Sequence, residues 1–385
     1  MTALETPHDQ PPADLRALTT LRFLAAAWVV LYTAWPHLDV DFVPTAVTKG
    51  YLGVEVFFVL SGFILSHVYL EAAGTGRFGY RSFLWARIAR VYPLHLLTLA
   101  GMIGLGVVAI LAGIAVDGGL TDWAALPAHL TLTHAWGLAP SSAFNHPSWS
   151  ISAEWAAYLA FPAFAFVAWR LRNRPVVATG LAAACALALY GAFQPLAGFS
   201  LTEATFRWGA LRIVPCFVLG CALYLVRRRG PIPAAGWVAA AGGLGVIAAA
   251  SLALWDPWVV LSAGALILGL GSLDNRKAGP LASGLGVWLG EISYAVYMTC
   301  APVLLVATNL AARLTGADDK RFHFIVWLGI VAAIPLVAAA CFHLVERPAR
   351  KALRGFARPK GTGQDAAGRR TPSPERVLQP PETIV

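Results

Sequence analysis

Long apolar runs separated by short polar clusters repeat along the whole chain. Ten of them are long enough to predict membrane-crossing helices, at about 17–36, 51–71, 92–115, 149–169, 176–194, 208–226, 235–254, 258–273, 285–311 and 323–345. The eighth is the shortest. Three runs carry charge where hydrocarbon disfavours it. The first holds Arg22. The second holds Glu55, just ahead of Phe57-Phe58-Val59-Leu60-Ser61-Gly62-Phe63. The fourth holds Glu154, in Trp149-Ser150-Ile151-Ser152-Ala153-Glu154. A charge inside a spanning helix costs several kcal/mol, so it normally faces a polar chamber or a partner rather than lipid. The pattern therefore predicts an all-α polytopic membrane protein with a polar interior site.

Composition agrees with that reading. The chain has 385 residues, 58% hydrophobic and only 13% charged, against roughly 25% charged in a soluble domain. Its apolar stretches are continuous, whereas a transmembrane barrel would alternate apolar and polar positions. The five cysteines all lie within apolar runs and form no CxxC, so neither a disulfide framework nor a zinc site is expected. The first twenty residues, with Pro7, Pro11 and Pro12, do not read as a cleavable signal peptide.

The net charge of +9 would suit a nucleic-acid partner if it were clustered on one soluble face. It is instead sorted by loop. With the N-terminus in the cytoplasm, 22 of the 29 lysines and arginines fall on the inner side and 5 on the outer, while Arg22 and Arg212 lie within spans. Positive charge is retained on the cytoplasmic side of inserted helices. The expectation is both termini inside, a multi-pass protein of the cell inner (plasma) membrane, and no nucleic acid. Segment 1–14 is a cytoplasmic lead-in, 15–355 the transmembrane domain, and 356–385 a basic, Pro- and Gly-rich tail expected to be disordered.

Two spacings carry chemistry. Eleven residues separate Arg22 from Thr33, which brings them back to within roughly 20° of one helix face, about 16 Å apart along the axis. Arg87 and Arg90 are i and i+3 neighbours ahead of Tyr92-Pro93, so their guanidiniums share a face. Paired forks of that kind suit phosphate oxygens; ordinary cytoplasmic positive charge is the plain alternative.

These segments, in order, resemble the acyltransferase-3 family of integral membrane O-acyltransferases. The resemblance rests on Arg22 with its ten-residue spacer, Gly53-Val54-Glu55-Val56-Phe57-Phe58-Val59-Leu60-Ser61-Gly62-Phe63, Arg87-Ile88-Ala89-Arg90-Val91-Tyr92-Pro93, Trp149-Ser150-Ile151-Ser152-Ala153-Glu154, Ile292-Ser293-Tyr294-Ala295-Val296-Tyr297 and Glu346-Arg347-Pro348. It runs over about residues 15 to 355. It implies transfer of an acyl group, often acetyl, from cytoplasmic acyl-CoA to a hydroxyl of a glycan or other acceptor, with no metal. It also implies that Arg87, Arg90 and Tyr92 meet the donor, and that Arg22 lines the inner channel.

Two family positions are altered. The resemblance implies a histidine base where this chain has Thr33, and often a second histidine where it has Cys300, two residues before Pro302. Imidazole titrates near working pH and a threonine hydroxyl does not. His37 lies one turn beyond Thr33, but Pro36 is expected to end the helix first. Glu154, a partner for Arg212 or a base in its own right, and His146 are further candidates. Cys300 as an acyl-carrying nucleophile is the remote one. His146 is otherwise read as a solvated loop residue.

The expected function is thus an O-acyltransferase scaffold for an envelope or secreted glycan or a similar acceptor. Thr33, Arg22, Glu154 and Glu55 stand at its chemical centre, the two glutamates serving the outer half. Its activity is either impaired or supported by a displaced base. The other class left open is a non-catalytic membrane protein that moves or senses a lipid-linked glycan.

Overall fold

The computed structural model describes residues 14–114, 118–120, 122–139 and 141–356. Residues 1–13 and the basic tail beyond 356 lie outside that set. Twelve longer helices carry the architecture. They are α1 (Arg16–Ala34), α2 (Gly53–Gly74), α3 (Tyr80–Leu111), α4 (Trp149–Leu159), α5 (Phe161–Leu171), α6 (Pro175–Ala197), α7 (Gly209–Arg228), α8 (Ala235–Ser251), α9 (Asp256–Ser272), α10 (Gly284–Thr315), α11 (Phe324–Cys341) and α12 (Arg347–Phe356). Among the described residues, seven helices are long and apolar enough to cross a membrane, and α4 with α5 makes an eighth if the bent pair is one span. Helices α8 and α9 have 17 residues each. At 1.5 Å per residue they reach about 25 Å, short of a hydrocarbon core near 30 Å. The chain is an all-α membrane protein.

Local sequence explains most helix ends. Pro36 sits in a 3-10 turn, Trp35–His37, directly after α1, so the helix stops beyond Thr33 as its spacing predicts. Helix α6 closes on Gly198, whose φ of 82° is open to glycine at no steric cost. The fourth span is not straight. It breaks between α4 and α5 by 59°, where Pro162 opens the second segment without an N–H to continue the first.

One boundary differs substantially from expectation. Helix α3 begins at Tyr80, not near 92, so Arg87 and Arg90 do not precede the span but lie within it, both buried. Hydropathy placed the start after the arginines. The helix runs through them because their charges find aromatic and carboxylate partners inside the bundle.

Glycine sets the closest helix crossings. A Cβ on Gly62 of α2 would collide with the Phe217 carbonyl of α7, and one on Gly220 of α7 with the Val59 carbonyl of α2. Gly290 of α10 meets the Thr19 carbonyl of α1 in the same way. Small residues at such points let backbones touch, which is how helices associate where lipid offers no hydrophobic driving force. The α1–α10 crossing matters most for function because it fixes the faces that carry Arg22, Thr33 and Cys300.

Candidate active site

Two polar layers lie inside the bundle. The first is nearer the end that carries Arg16, Tyr80 and Glu346, called here the basic end. Glu154 of α4 accepts a hydrogen bond from Tyr158 Oη at 2.9 Å, one turn along the same helix, and a second from Ser61 of α2. Arg22 lies in the field of Arg90, Glu154, Tyr158 and Glu346 together. Arg90 Nη1 is 3.7 Å from Glu346 Oε1. Arg22 and Glu154 are half-buried, although both are set deep among these partners.

Arg87 stands beside this group. It is 3% exposed, donates from Nη2 to Tyr69 Oη at 3.3 Å, and has the rings of Tyr69 and Phe83 each 5.8 Å from its guanidinium. Stacking of that kind stabilises a desolvated cation. Among the described residues, Arg87 Nε and Arg90 Nη2 have no hydrogen-bond partner, as is also true of Arg212 Nη2 in the second layer. A buried donor without a partner costs about 1–3 kcal/mol, and anionic oxygens would relieve both. The donor set therefore fits a phosphate or thioester oxygen. Tyr92 turns elsewhere, its hydroxyl donating to Leu130 O at 2.8 Å.

The second layer lies toward the opposite end. Arg212 Nε of α7 donates to Glu55 Oε1 of α2 at 2.6 Å. Its Nη1 donates to Ala204 O at 3.2 Å, and its guanidinium lies 4.5 Å from the Trp149 ring. Glu55 is 0% and Arg212 2% exposed. The expected Glu154–Arg212 pair does not form. Glu55 holds Arg212, while Glu154 belongs to the layer nearer the basic end. Helices α4 and α5 meet at a 59° break, and Glu154 and Tyr158 of α4 both act on Arg22.

Thr33 and Cys300 meet in this second layer. Thr33 Oγ1 is 3.2 Å from Cys300 Sγ and donates back to Val29 O and Val30 O at 3.0 Å. One turn before Cys300, Tyr297 Oη donates to Pro147 O at 3.0 Å. Asn145 Nδ2 donates to Met298 O at 2.9 Å. Segment 145–148 is thus clamped against α10 at the level of the Thr33–Cys300 contact. His37 lies past the end of α1, its Nδ1 3.1 Å from Lys320 O.

Three further residues join the site without having been singled out for it. Tyr158 follows Glu154 by four positions, and that helical spacing was the signal available for it. Tyr69 sits against Arg87 from 18 positions away, and Glu346 pairs with Arg90 from the far end of the chain. Neither pairing has a local sequence signature.

Arginine and carboxylate partners share one interior, and its buried donors are suited to an anionic ligand. Comparison with known proteins points to acyl transfer. A family model described as "Acyltransferase domain" (Acyl_transf_3) matches residues 15–346. The acyltransferase MdmB of Streptomyces mycarofaciens is 32% identical, over 95% of this chain and all of that protein. A putative membrane-bound transacylase, BcsY of Komagataeibacter xylinus, is 27% identical over 88% of this chain and 83% of its own length. No solved structure matches. The chain belongs to the acyltransferase-3 family of membrane acyltransferases.

Proposed function

We propose that this enzyme takes an acyl group, acetyl by default, from cytoplasmic acyl-CoA and places it on a hydroxyl of a cell-envelope or secreted glycan or a similar acceptor. The observation that carries the donor half is the pair of unsatisfied buried donors, Arg87 Nε and Arg90 Nη2, beside Arg22 at the basic end. Coenzyme A brings phosphate oxygens that such forks bind well. On this reading the basic end faces the cytoplasm, where the positive loops would hold it, and ten spans put both termini on that side.

Arg87 and Arg90 grip the donor. Arg22 lines the path from the grip toward Thr33. Glu154, held by Tyr158 and Ser61, keeps the arginines apart and charged. The acyl carbonyl then reaches the Thr33–Cys300 layer, where the acceptor enters from the opposite end. A surface depression of about 330 Å³ lies beyond the end of α1, lined by Trp35, Pro36, Leu38, Val40, Asp41, Val43 and Arg321. An indole face beside an Asp–Arg pair suits a hydroxylated ring.

Coenzyme A binding by the purified protein in lipid discs tests the reading. The parent should bind, and the Arg87→Gln/Arg90→Gln form should lose at least tenfold in affinity. Equal affinity in both, or none in the parent, would favour the moving or sensing of a lipid-linked glycan instead.

A further inference from the structure

Acyl transfer to a hydroxyl needs a group that takes the hydroxyl proton. The Thr33–Cys300 contact supplies none, because Thr33 Oγ1 is engaged with Val29 O and Val30 O. Nine histidines occur in the chain, and their placement among the described residues is uneven. His95, His129 and His134 are stacked and sealed, each 1% exposed or less. His343 lies at the basic end, with Nε2 3.3 Å from Trp288 Nε1. His67 packs on Tyr224. His37 and His323 lie outside the bundle end, in the turns around α1 and α11.

His146 is different. The residue is exposed while its neighbours Asn145 and Ser148 are buried. The bonds from Asn145 to Met298 O and from Tyr297 to Pro147 O hold its backbone on α10, beside the turn that ends in Cys300. Its ring lies 5.6 Å from Phe206 and feels the charge of Arg212. Tyr297 lies in the fields of Arg212, Glu55 and Cys300. One imidazole is thus presented to the second layer from α4's entry rather than from α1.

We infer that His146 is the proton acceptor of this enzyme, in place of the residue lost at position 33. The inference rests on the acyltransferase reading above. His146 takes the acceptor O–H proton as that oxygen bonds to the thioester carbonyl carbon. The carbon–sulfur bond then breaks, the coenzyme A sulfur leaves with the electron pair, and the imidazolium returns the proton to it. The ester and free coenzyme A are the products, and histidine ends neutral as it began. Glu55 and Arg212 stay paired and neutralise one another beside it.

The test follows thiol release from acetyl-CoA by the full chain in lipid discs, with water as the hydroxyl acceptor and hydroxylamine as a nucleophile that needs no base. Loss of a general base costs about 10²–10⁴-fold. His146→Gln should lose at least 100-fold with water, lose the imidazole limb of the pH profile, and keep hydroxylamine cleavage within about threefold. Adding Thr33→His to it should restore the water rate. Water rates within threefold of the parent would overturn the assignment, as would equal loss with both nucleophiles, which marks a structural role. So would a parent with no water rate that still cleaves with hydroxylamine. A parent inactive with both, and without coenzyme A binding, would instead remove the acyltransferase reading, and this inference with it.

Discussion

Thr33 Oγ1 and Cys300 Sγ lie 3.2 Å apart across the α1–α10 crossing, 267 residues apart in sequence. Each replaces a histidine that the family resemblance implies. The two departures are therefore one altered site, not two scattered losses, and a side chain at either position is seen directly by the other.

Restoring the base at this contact should raise the rate. In the His146→Gln background, Thr33→His is expected to increase acyl transfer about 100-fold, in keeping with the usual contribution of general base catalysis. Thr33→His/Cys300→His should do at least as well, because the second ring then replaces a thiol that cannot orient the first by a strong hydrogen bond. Initial rates of acetyl transfer, with expression and thermal unfolding matched, check it. An unchanged rate in properly folded protein would contradict it.

The Glu55–Arg212 pair should matter more to folding than to chemistry. Removing one member of a buried pair strands a charge, at a typical cost of about 3–5 kcal/mol. Glu55→Ala should therefore lower the thermal midpoint strongly. Glu55→Met/Arg212→Met should recover most of the loss, since an apolar pair of similar volume strands nothing. A double variant no more stable than Glu55→Ala would show that the ion pair is not the reason both residues are buried.

Gly290 should be intolerant of a methyl group. Its added Cβ would strike the Thr19 backbone and force α1 away from α10. Overpacking of this kind costs about 1–3 kcal/mol. Gly290→Ala should destabilise the protein, whereas Gly284→Ala, with open space around it, should not. Thermal unfolding in the same detergent compares them.

Acid should destabilise the loop region between α3 and α4. Burial and the neighbouring imidazoles lower His129 to about 4 and His134 to about 3, against an ordinary value near 6.5. The unfolded chain then binds protons that the folded chain refuses. The stabilisation is full above about pH 6.5, and falls by up to about 1.4 kcal/mol per pH unit per histidine down to the folded values. His129→Phe/His134→Phe should flatten stability between pH 6.5 and 4. The same slope in parent and variant would contradict this.

Much of this was legible in the chain because charge in a spanning helix is rare. Arg22, Glu55 and Glu154 stood out for that reason, and Pro36 marked the end of α1, which stops one residue past Thr33. The partners were harder to read. Glu55 and Arg212 are 157 residues apart, and no periodicity links them, so Arg212 was equally open to Glu154. The 59° break between α4 and α5, and the action of Glu154 on Arg22, needed the structure. The start of α3 was missed because Arg81, Arg87 and Arg90 lower the hydropathy of the segment, whereas Tyr69, Phe83 and Glu346 sit against the two that are buried.

The most direct measurement is transfer of labelled acetyl from acetyl-CoA in membranes that contain the native acceptor, with the thioester supplied on the cytoplasmic side only. The account predicts alkali-labile label on a hydroxylated product, lost in Arg87→Gln/Arg90→Gln and, in the His146→Gln background, restored by Thr33→His. No labelled ester from either the parent or Thr33→His, with both folded and present in the membrane, would contradict it.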